Sequence, residues 1–591
     1  MPLFGKILDW LDERTGWRAS WREWIDHPVV GGAPWARAMA TSVAACFGVL
    51  ALTGVVLMTA YAPSPQSAWA SVHYLQFVQD RGWIVRGLHF WAAQALIVLA
   101  GVHVVHTALA GSYRKPRELV WWLTLAVPAL AVGGCITGGL LPWDQRGWWA
   151  RLVEGNIVGL APAIGPFLQQ MMQGGSELGA LGLTRAYALH VLVVPAGIAA
   201  VLITRRRLAA RHGWGGVGTT TRYSRLLPYG ALVAAATVFL LFALTGATRG
   251  APLDAPADPM SDYPARPEWF LLTLFELRKF FHGAGEFWGT TLLPGAALLV
   301  LALLPFFDRA PRSRAPAVVV ALAVVAGGAA LSGMAWRKDA HDAQYAKQRA
   351  RADALAAAAA KLAMQGVPPA GALEMVRQDP ELRGRDLFDK HCASCHVLGD
   401  AGDPAKATAT KLDGWGTANW ISSMIHDPDA PEFFGRGPYK GEMPSVDVRP
   451  KDKPAGEAWN AMTKSAAERQ AVSLFLSLQG DEPGDPPRAA DASVRATGEK
   501  IVAERCTTCH LYKGDGDDEG NGIAPELAHY GSVSWTRAQV ANPASASTYR
   551  DKALDESRKK HMPRFDKDLS AADVDLVARW TRAHARGVPL R

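Results

Sequence analysis

Seven long apolar stretches, near 38–60, 84–109, 119–141, 184–204, 228–246, 287–306 and 315–334, dominate the first 335 residues of this 591-residue chain. Each can cross a hydrocarbon layer ~30 Å thick, because ~20 helical residues at 1.5 Å per residue suffice. No water reaches the backbone there, so a spanning segment satisfies its own N–H and C=O groups as an α-helix. The expected fold is all-α, with a membrane bundle of about seven helices. Positive charge orients it. Arg114, Lys115 and Arg117 follow the second stretch, Arg205 to Arg211 the fourth, and Arg309, Arg312 and Arg314 the sixth. Loops rich in Lys and Arg stay cytoplasmic, so the N-terminus is expected inside and the chain after the seventh helix outside. In a bacterial inner membrane that outside is the periplasm. The opening "MPLFGKILDWLDERTGW" has apolar residues at Leu3, Phe4, Ile7, Leu8 and Leu11 with charges opposite. Residues 1–36 are therefore expected to hold an amphipathic helix lying on the lipid surface. No small-residue cleavage site follows it, so it does not read as a signal peptide.

The chain-wide 49% hydrophobic and 20% charged content averages two regimes. Beyond residue 335, charges, prolines and glycines are spread throughout. The net charge of +8 is dispersed rather than clustered, so no nucleic-acid surface is expected. Residues 336–380, with "AKQRARADALAAAAAKLAMQG", read as a helical linker. Two similar units follow, 381–482 and 492–591. "GRDLFDKHCASCH" (384–396) recurs as "GEKIVAERCTTCH" (498–510), and each is followed by a Met-Pro pair and a closing helix near 465–480 or 570–587. This is internal duplication.

Four of the six cysteines lie in C-x-x-C-H motifs: Cys392 and Cys395 with His396, and Cys506 and Cys509 with His510. That spacing reads as covalent attachment of c-type haem, two thioethers to the porphyrin and the adjacent histidine on the iron. Zinc or a redox dithiol would explain one such motif; two at matching places of a repeat point to haem. A low-spin carrier needs a second axial ligand, and methionine raises the potential relative to histidine. Met443, 47 residues after His396, and Met562, 52 after His510, each precede a proline. They are expected to complete the iron sites of their own repeats, with Met424 and His561 as competitors. Both units resemble small class I cytochromes c, so two small α-helical cytochrome c domains are expected.

Histidines inside membrane helices need partners and mark functional sites. His89 and His103 share the second apolar stretch, fourteen residues apart. That is about 3.9 turns and ~21 Å, so both rings face one way at two depths. His190 begins the fourth stretch at the depth of His89. The pair His89 and His190 reads as one bis-imidazole haem b site on the periplasmic side.

With "RGWIVRGLHFW", "GSYRKPREL", "GGLLPWDQRGWWA", "LTRAYALHVLVVP" and "RPEWFLLTLFELRKF", residues 1 to about 335 resemble cytochrome b of the quinol-oxidising bc complexes. The likeness is to the plastid type, whose first four and last three helices are separate chains. Here they are joined: a four-helix haem b bundle over 37–215 and a three-helix part over 216–335. The resemblance implies a periplasmic quinol site between "PWDQ" and "PEWF", with Glu268 taking a quinol proton and Pro267, Trp269, Phe270, Pro142 and Trp143 around it. The family's usual Tyr after the Trp is Phe270 here, which lacks the hydroxyl. The resemblance also implies glycines against the haem on the first and third helices; Gly54 and Gly138 match the periplasmic pair.

The cytoplasmic level departs from the pattern. The second ligand would fall at Arg205, and a guanidinium has no lone pair for iron. The glycine positions hold Ala40 and Thr124, and His106 stands where the family has an arginine. One haem b is therefore expected, with His103 left to hydrogen-bond its neighbours; the competing arrangement pairs His103 with His212. The plastid type's extra haem-bearing cysteine corresponds to Ala38. Cys46, two turns deeper, reads as a packing residue.

The chain is thus expected to be the cytochrome b/c subunit of a quinol–cytochrome c reductase-type complex. Its expected cofactors are one haem b and two haems c, with quinol as substrate. Expected partners are a Rieske iron–sulfur protein on a separate chain, membrane lipid and a periplasmic electron acceptor, in a dimeric or larger assembly. The rival reading is a non-catalytic anchor and electron wire serving a partner dehydrogenase.

Overall fold

The computed structural model describes the chain apart from residues 1, 27, 31–33, 213–219, 309–314, 438, 442, 444–464, 489–490, 515, 517–523, 546, 550–561 and 591. It divides into two compact units, Met1–Met375 and Val376–Arg591. Among the described residues the regular elements are helices joined by turns and loops, apart from an antiparallel ribbon of two three-residue strands, Pro28–Val30 with Thr220–Arg222.

Two short helices open the chain, α1 (Pro2–Thr15) and α2 (Trp17–Ile25). Ile7, Trp10 and Trp21 on them are exposed, as a helix needs if its apolar face is to meet lipid rather than protein. The bundle follows: α3 (Pro34–Met58), α4 (Gly82–Leu109), α5 (Glu118–Leu140), the surface helix α6 (Gln145–Gly159) and α7 (Ala180–His212). The chain continues through α8 (Leu227–Thr248), α9 (Trp288–Phe307) and α10 (Ala315–His341). Seven helices among the described residues, α3 to α5 and α7 to α10, are long and apolar enough to cross a membrane, at the seven expected places. This is an integral membrane protein. Between α3, α4, α5 and α7, Val43, Cys46, Leu96, Val127 and Ile198 form one buried cluster.

The linker is helical, α11 (Ala343–Ala363), but it is not a free spacer. Arg349 pairs with Asp254 at 3.3 Å, and His73 Nε2 hydrogen-bonds the Ala360 carbonyl at 2.9 Å. Docked this way, α11 belongs to the membrane unit.

The second unit contains α12 (Pro380–His391), α13 (Ala418–His426), α14 (Ala466–Gln479), α15 (Ala492–Arg505), α16 (Val533–Ala541) and α17 (Ala571–Arg586). All six start on a side-chain cap: Asp379, Thr417, Ser465, Asp491, Ser532 and Ser570 each accept a backbone N–H of the first turn, which satisfies a donor the helix leaves open. The two most extensive helix pairs cross between the repeats, α12 with α17 and α14 with α15, while α13 with α14 and α16 with α17 pack within them.

Candidate functional site

α4 and α7 bring His89 and His190 together, ring centroids 6.0 Å apart and planes steeply inclined at 66°. Two imidazoles on one iron need about this separation, given metal–imidazole bonds of about 2 Å. His89 Nδ1 meets Thr53 Oγ1 at 2.9 Å. His190 Nδ1 meets the Gly134 carbonyl at 3.1 Å. With Nδ1 occupied, Nε2 is the free lone pair on each ring, which suits a metal ligand. His190 lies in a π turn, Leu189–Val193, a one-residue widening common at functional sites. The glycines act at close range. A Cβ on Gly138 would lie 2.6 Å from His190 Cε1, and one on Gly54 3.3 Å from His89 Cε1. This donor set and cradle fit a haem b.

The other level of the same helices is filled differently. Arg205 Nη2 lies 2.6 Å from His103 Nε2, and Arg205 Nε donates to Thr124 Oγ1 at 2.8 Å. The guanidinium thus joins three positions at which the sequence departs from, or would need, a second haem site. A guanidinium only donates, so His103 accepts through Nε2, the atom an iron would need. α7 runs on helically to His212, and His103 meets Arg205 rather than His212.

A cavity of about 410 Å³ adjoins the histidine pair. Its wall includes Gly54, Gly138, Pro142, Glu154, Glu268 and Phe270. Glu268 pairs with Arg146 at 3.1 Å. Of the expected quinol-site residues, Glu268, Phe270 and Pro142 face the cavity. Trp143 is packed in a buried cluster with Trp148 instead. Trp269 is exposed, its indole N–H donating to Gln94 at 2.6 Å, and Pro267 is not in the wall.

Glu154 was not singled out from the sequence. It sits one α6 turn past Arg151, which approaches it at 3.6 Å. Burial pushes its carboxyl up to about 7, Arg151 opposing this and the Glu268 charge adding to it. Its only sequence signal is an acid inside "GWWARLVEG", which also suits an ordinary amphipathic surface. Asp144 anchors the region: it caps α6 through the Gly147 N–H at 2.8 Å and accepts the Asp254 N–H at 3.1 Å. Burial, with the nearby Asp254 charge, raises its carboxyl to about 6.

The two C-x-x-C-H motifs share one local geometry. The His396 N–H donates to the Cys392 carbonyl and the His510 N–H to the Cys506 carbonyl, both at 2.9 Å. Leu412 N–H reaches the Val397 carbonyl and Leu527 N–H the Leu511 carbonyl, both at 2.8 Å. His396 Nδ1 hydrogen-bonds the Thr410 carbonyl and His510 Nδ1 the Pro525 carbonyl, again both at 2.8 Å. Burial holds both rings below the ordinary histidine pKa, so each offers a neutral Nε2. The cysteines and histidine stand on one turn, a donor set that fits covalent haem. The methionines are not grouped as expected. Met562 packs in the cluster containing Cys392, and Met443 in the cluster containing Cys506. The within-repeat grouping of His396 with Met443 and His510 with Met562 is not the one made by the packing, because the helix pairs cross between repeats. Met424 is buried on α13; His561 lies outside the described residues.

Comparison with known proteins follows the same division. A family model described as cytochrome b/b6/petB matches residues 32–211, and one described as cytochrome c matches 382–477 and 495–584. A menaquinol:cytochrome c reductase cytochrome b subunit of Geobacillus thermodenitrificans is 34% identical over 223 residues, 36% of this chain and 99% of that protein. A cytochrome b6 of Synechococcus elongatus is 31% identical over 211 residues, 36% and 98% of the two chains. A cytochrome bc complex cytochrome b subunit of Chlorobaculum thiosulfatiphilum is 31% identical over 278 residues, 44% and 64%.

Proposed function

From the premise that this chain belongs to the cytochrome b/b6 family and carries cytochrome c segments behind it, we propose that it is the b/c subunit of a quinol:cytochrome c oxidoreductase that oxidises quinol on the periplasmic side. The observation that carries this reading is that one cavity is walled by both the histidine pair and Glu268. Quinol oxidation releases two protons and two electrons. A carboxylate beside an apolar pocket takes a proton well when within hydrogen-bond reach of the hydroxyl; Glu268 is the acceptor, and Arg146 holds its carboxylate in place. Glu154, with a carboxyl at about 7, is poised to pass the proton on. The haem groups, held at His89 and His190 and at the two C-x-x-C-H motifs, supply one-electron transfer when bound, with a Rieske iron–sulfur protein on a separate chain and a periplasmic acceptor as partners.

One haem b, not two, is part of the reading, supported by the Arg205–His103 contact. It implies that electrons do not cross to the cytoplasmic face through this subunit by the usual inner step. A dimeric or larger membrane complex in a bacterial inner membrane suits these roles. Glu268→Gln is the test. Quinol-dependent reduction of the c-type haem should fall by roughly 10²-fold, the scale of a lost general base, with every haem spectrum unchanged. Full turnover in that variant would remove Glu268 from the mechanism and favour the electron-wire reading.

A further inference from the structure

Each C-x-x-C-H motif sits in a core built from both repeats. α12, which leads into Cys392, packs on α17, the last helix of the chain; α15, which leads into Cys506, packs on α14, the last helix of the first repeat. The contacts are tight in both. A Cβ on Gly384 would lie 2.5 Å from Trp580 Cγ, and one on Gly498 2.3 Å from the Ala471 carbonyl oxygen. Ion pairs join the same partners, Arg383 with Asp573 and Arg505 with Glu468, both at 3.2 Å. The chain crosses over at two equivalent turns. Gly414 and Gly416 both have φ 75°, and His529 and Gly531 have φ 59° and 78°. Where they meet, the Trp415 indole N–H donates to the Tyr530 hydroxyl at 3.1 Å.

We propose that the two c-type iron sites are completed across the repeats, His396 sharing its iron with Met562 and His510 with Met443. A porphyrin tethered at Cys392 lies in the core that this cysteine shares with Val540, Phe565 and Val574, all from the second repeat. Met562 packs in that core, its sulfur 3.6 Å from Gln539 Nε2 on α16. A porphyrin tethered at Cys506 lies in the core shared with Ile421, Ile425 and Phe475 of the first repeat, where Met443 packs. Neither repeat then completes a low-spin site alone, and the pair is one electron-transfer unit rather than two beads. The inference rests on the covalent-haem reading above; absence of haem stain on the denatured polypeptide would sink that reading without touching the crossing.

The test uses the purified full-length protein and the far-red charge-transfer band of methionine on ferric iron. His396→Ala/Met562→Ala strikes one iron twice and should keep about half the band. His396→Ala/Met443→Ala strikes both irons and should abolish it. The reverse pattern, or loss of the whole band in both, overturns the proposal. A haem-independent arm covers variants that fail to mature. Ser465 caps α14 through the Glu468 N–H as Ser570 caps α17 through the Asp573 N–H, so Glu468 and Asp573 are equivalent positions. Arg383→Cys/Asp573→Cys should yield a disulfide-linked peptide by mass spectrometry, and Arg383→Cys/Glu468→Cys should not. A link in the second variant and none in the first would restore the within-repeat arrangement.

Discussion

The two levels of the membrane bundle use the same helices, α4 and α7, to opposite ends. At one level two histidines come together with each Nδ1 engaged and glycine beside each ring. Fourteen residues along α4, His103 meets Arg205, and the guanidinium also takes Thr124. The first level leaves two Nε2 lone pairs that could hold a metal; the second spends its one lone pair on a hydrogen bond. Helical spacing alone does not make a haem site. It needs a second lone pair and room for the porphyrin edge, and at the lower level arginine and threonine side chains stand where a ligand and a glycine would be.

The ligands carry the largest difference between the two levels. His190→Ala or His89→Ala should remove all b-type absorbance, and the native protein should hold one haem b per two haems c by pyridine haemochrome. His103→Ala should leave that absorbance intact while destabilising the membrane unit by about 1–3 kcal/mol, the cost of depriving a buried donor of its acceptor. Half the b signal lost in His103→Ala would mean that the lower level does bind haem.

The glycines differ in how closely they approach the rings. Gly138→Ala places a carbon 2.6 Å from the His190 ring, whereas Gly54→Ala places one 3.3 Å from His89. The first should displace its ligand and lose most of the haem b; the second should retain most of it with a shifted spectrum. Equal retention in both would show that the rings move freely and that the cradle is not shaped by these glycines.

The smallest effect concerns protons. Glu154 has its carboxyl raised to about 7 by burial, so the basic form grows in as pH rises through about 7 and is lost below it. Quinol oxidation should climb over that range, and Glu154→Gln should flatten the climb while lowering the plateau several-fold. An unchanged pH profile would leave Glu268 as the sole acceptor at the cavity.

Much of the membrane unit was legible beforehand, because its signals are local or periodic. The length of an apolar run decides whether it spans, and fourteen residues between His89 and His103 decide that they share a face. Less local features were harder to see. Glu154 looked like any acid on an amphipathic helix until folding buried it beside Glu268. Trp143 and Trp269 flank residues that face the cavity, yet one packs into a core and the other turns outward, since neighbouring residues on a chain point in different directions.

By itself the sequence determined the seven spans and the duplication, and it carries the C-x-x-C-H pattern from which attachment is expected, since hydrocarbon thickness and the reach of two thioethers and an imidazole act on consecutive residues. Only the tertiary structure decided what Arg205 does, because its two partners are 81 and 102 residues away. Only it decided which methionine shares a core with which cysteine. Gly384 and Gly498 present equivalent grooves, and the side chains of Trp580 and Phe475 lie against them. Two repeats with matching interfaces can pair within or across, and the local pattern is satisfied either way; the choice is made by the turns at 414–417 and 529–532 and by side chains far apart in the chain.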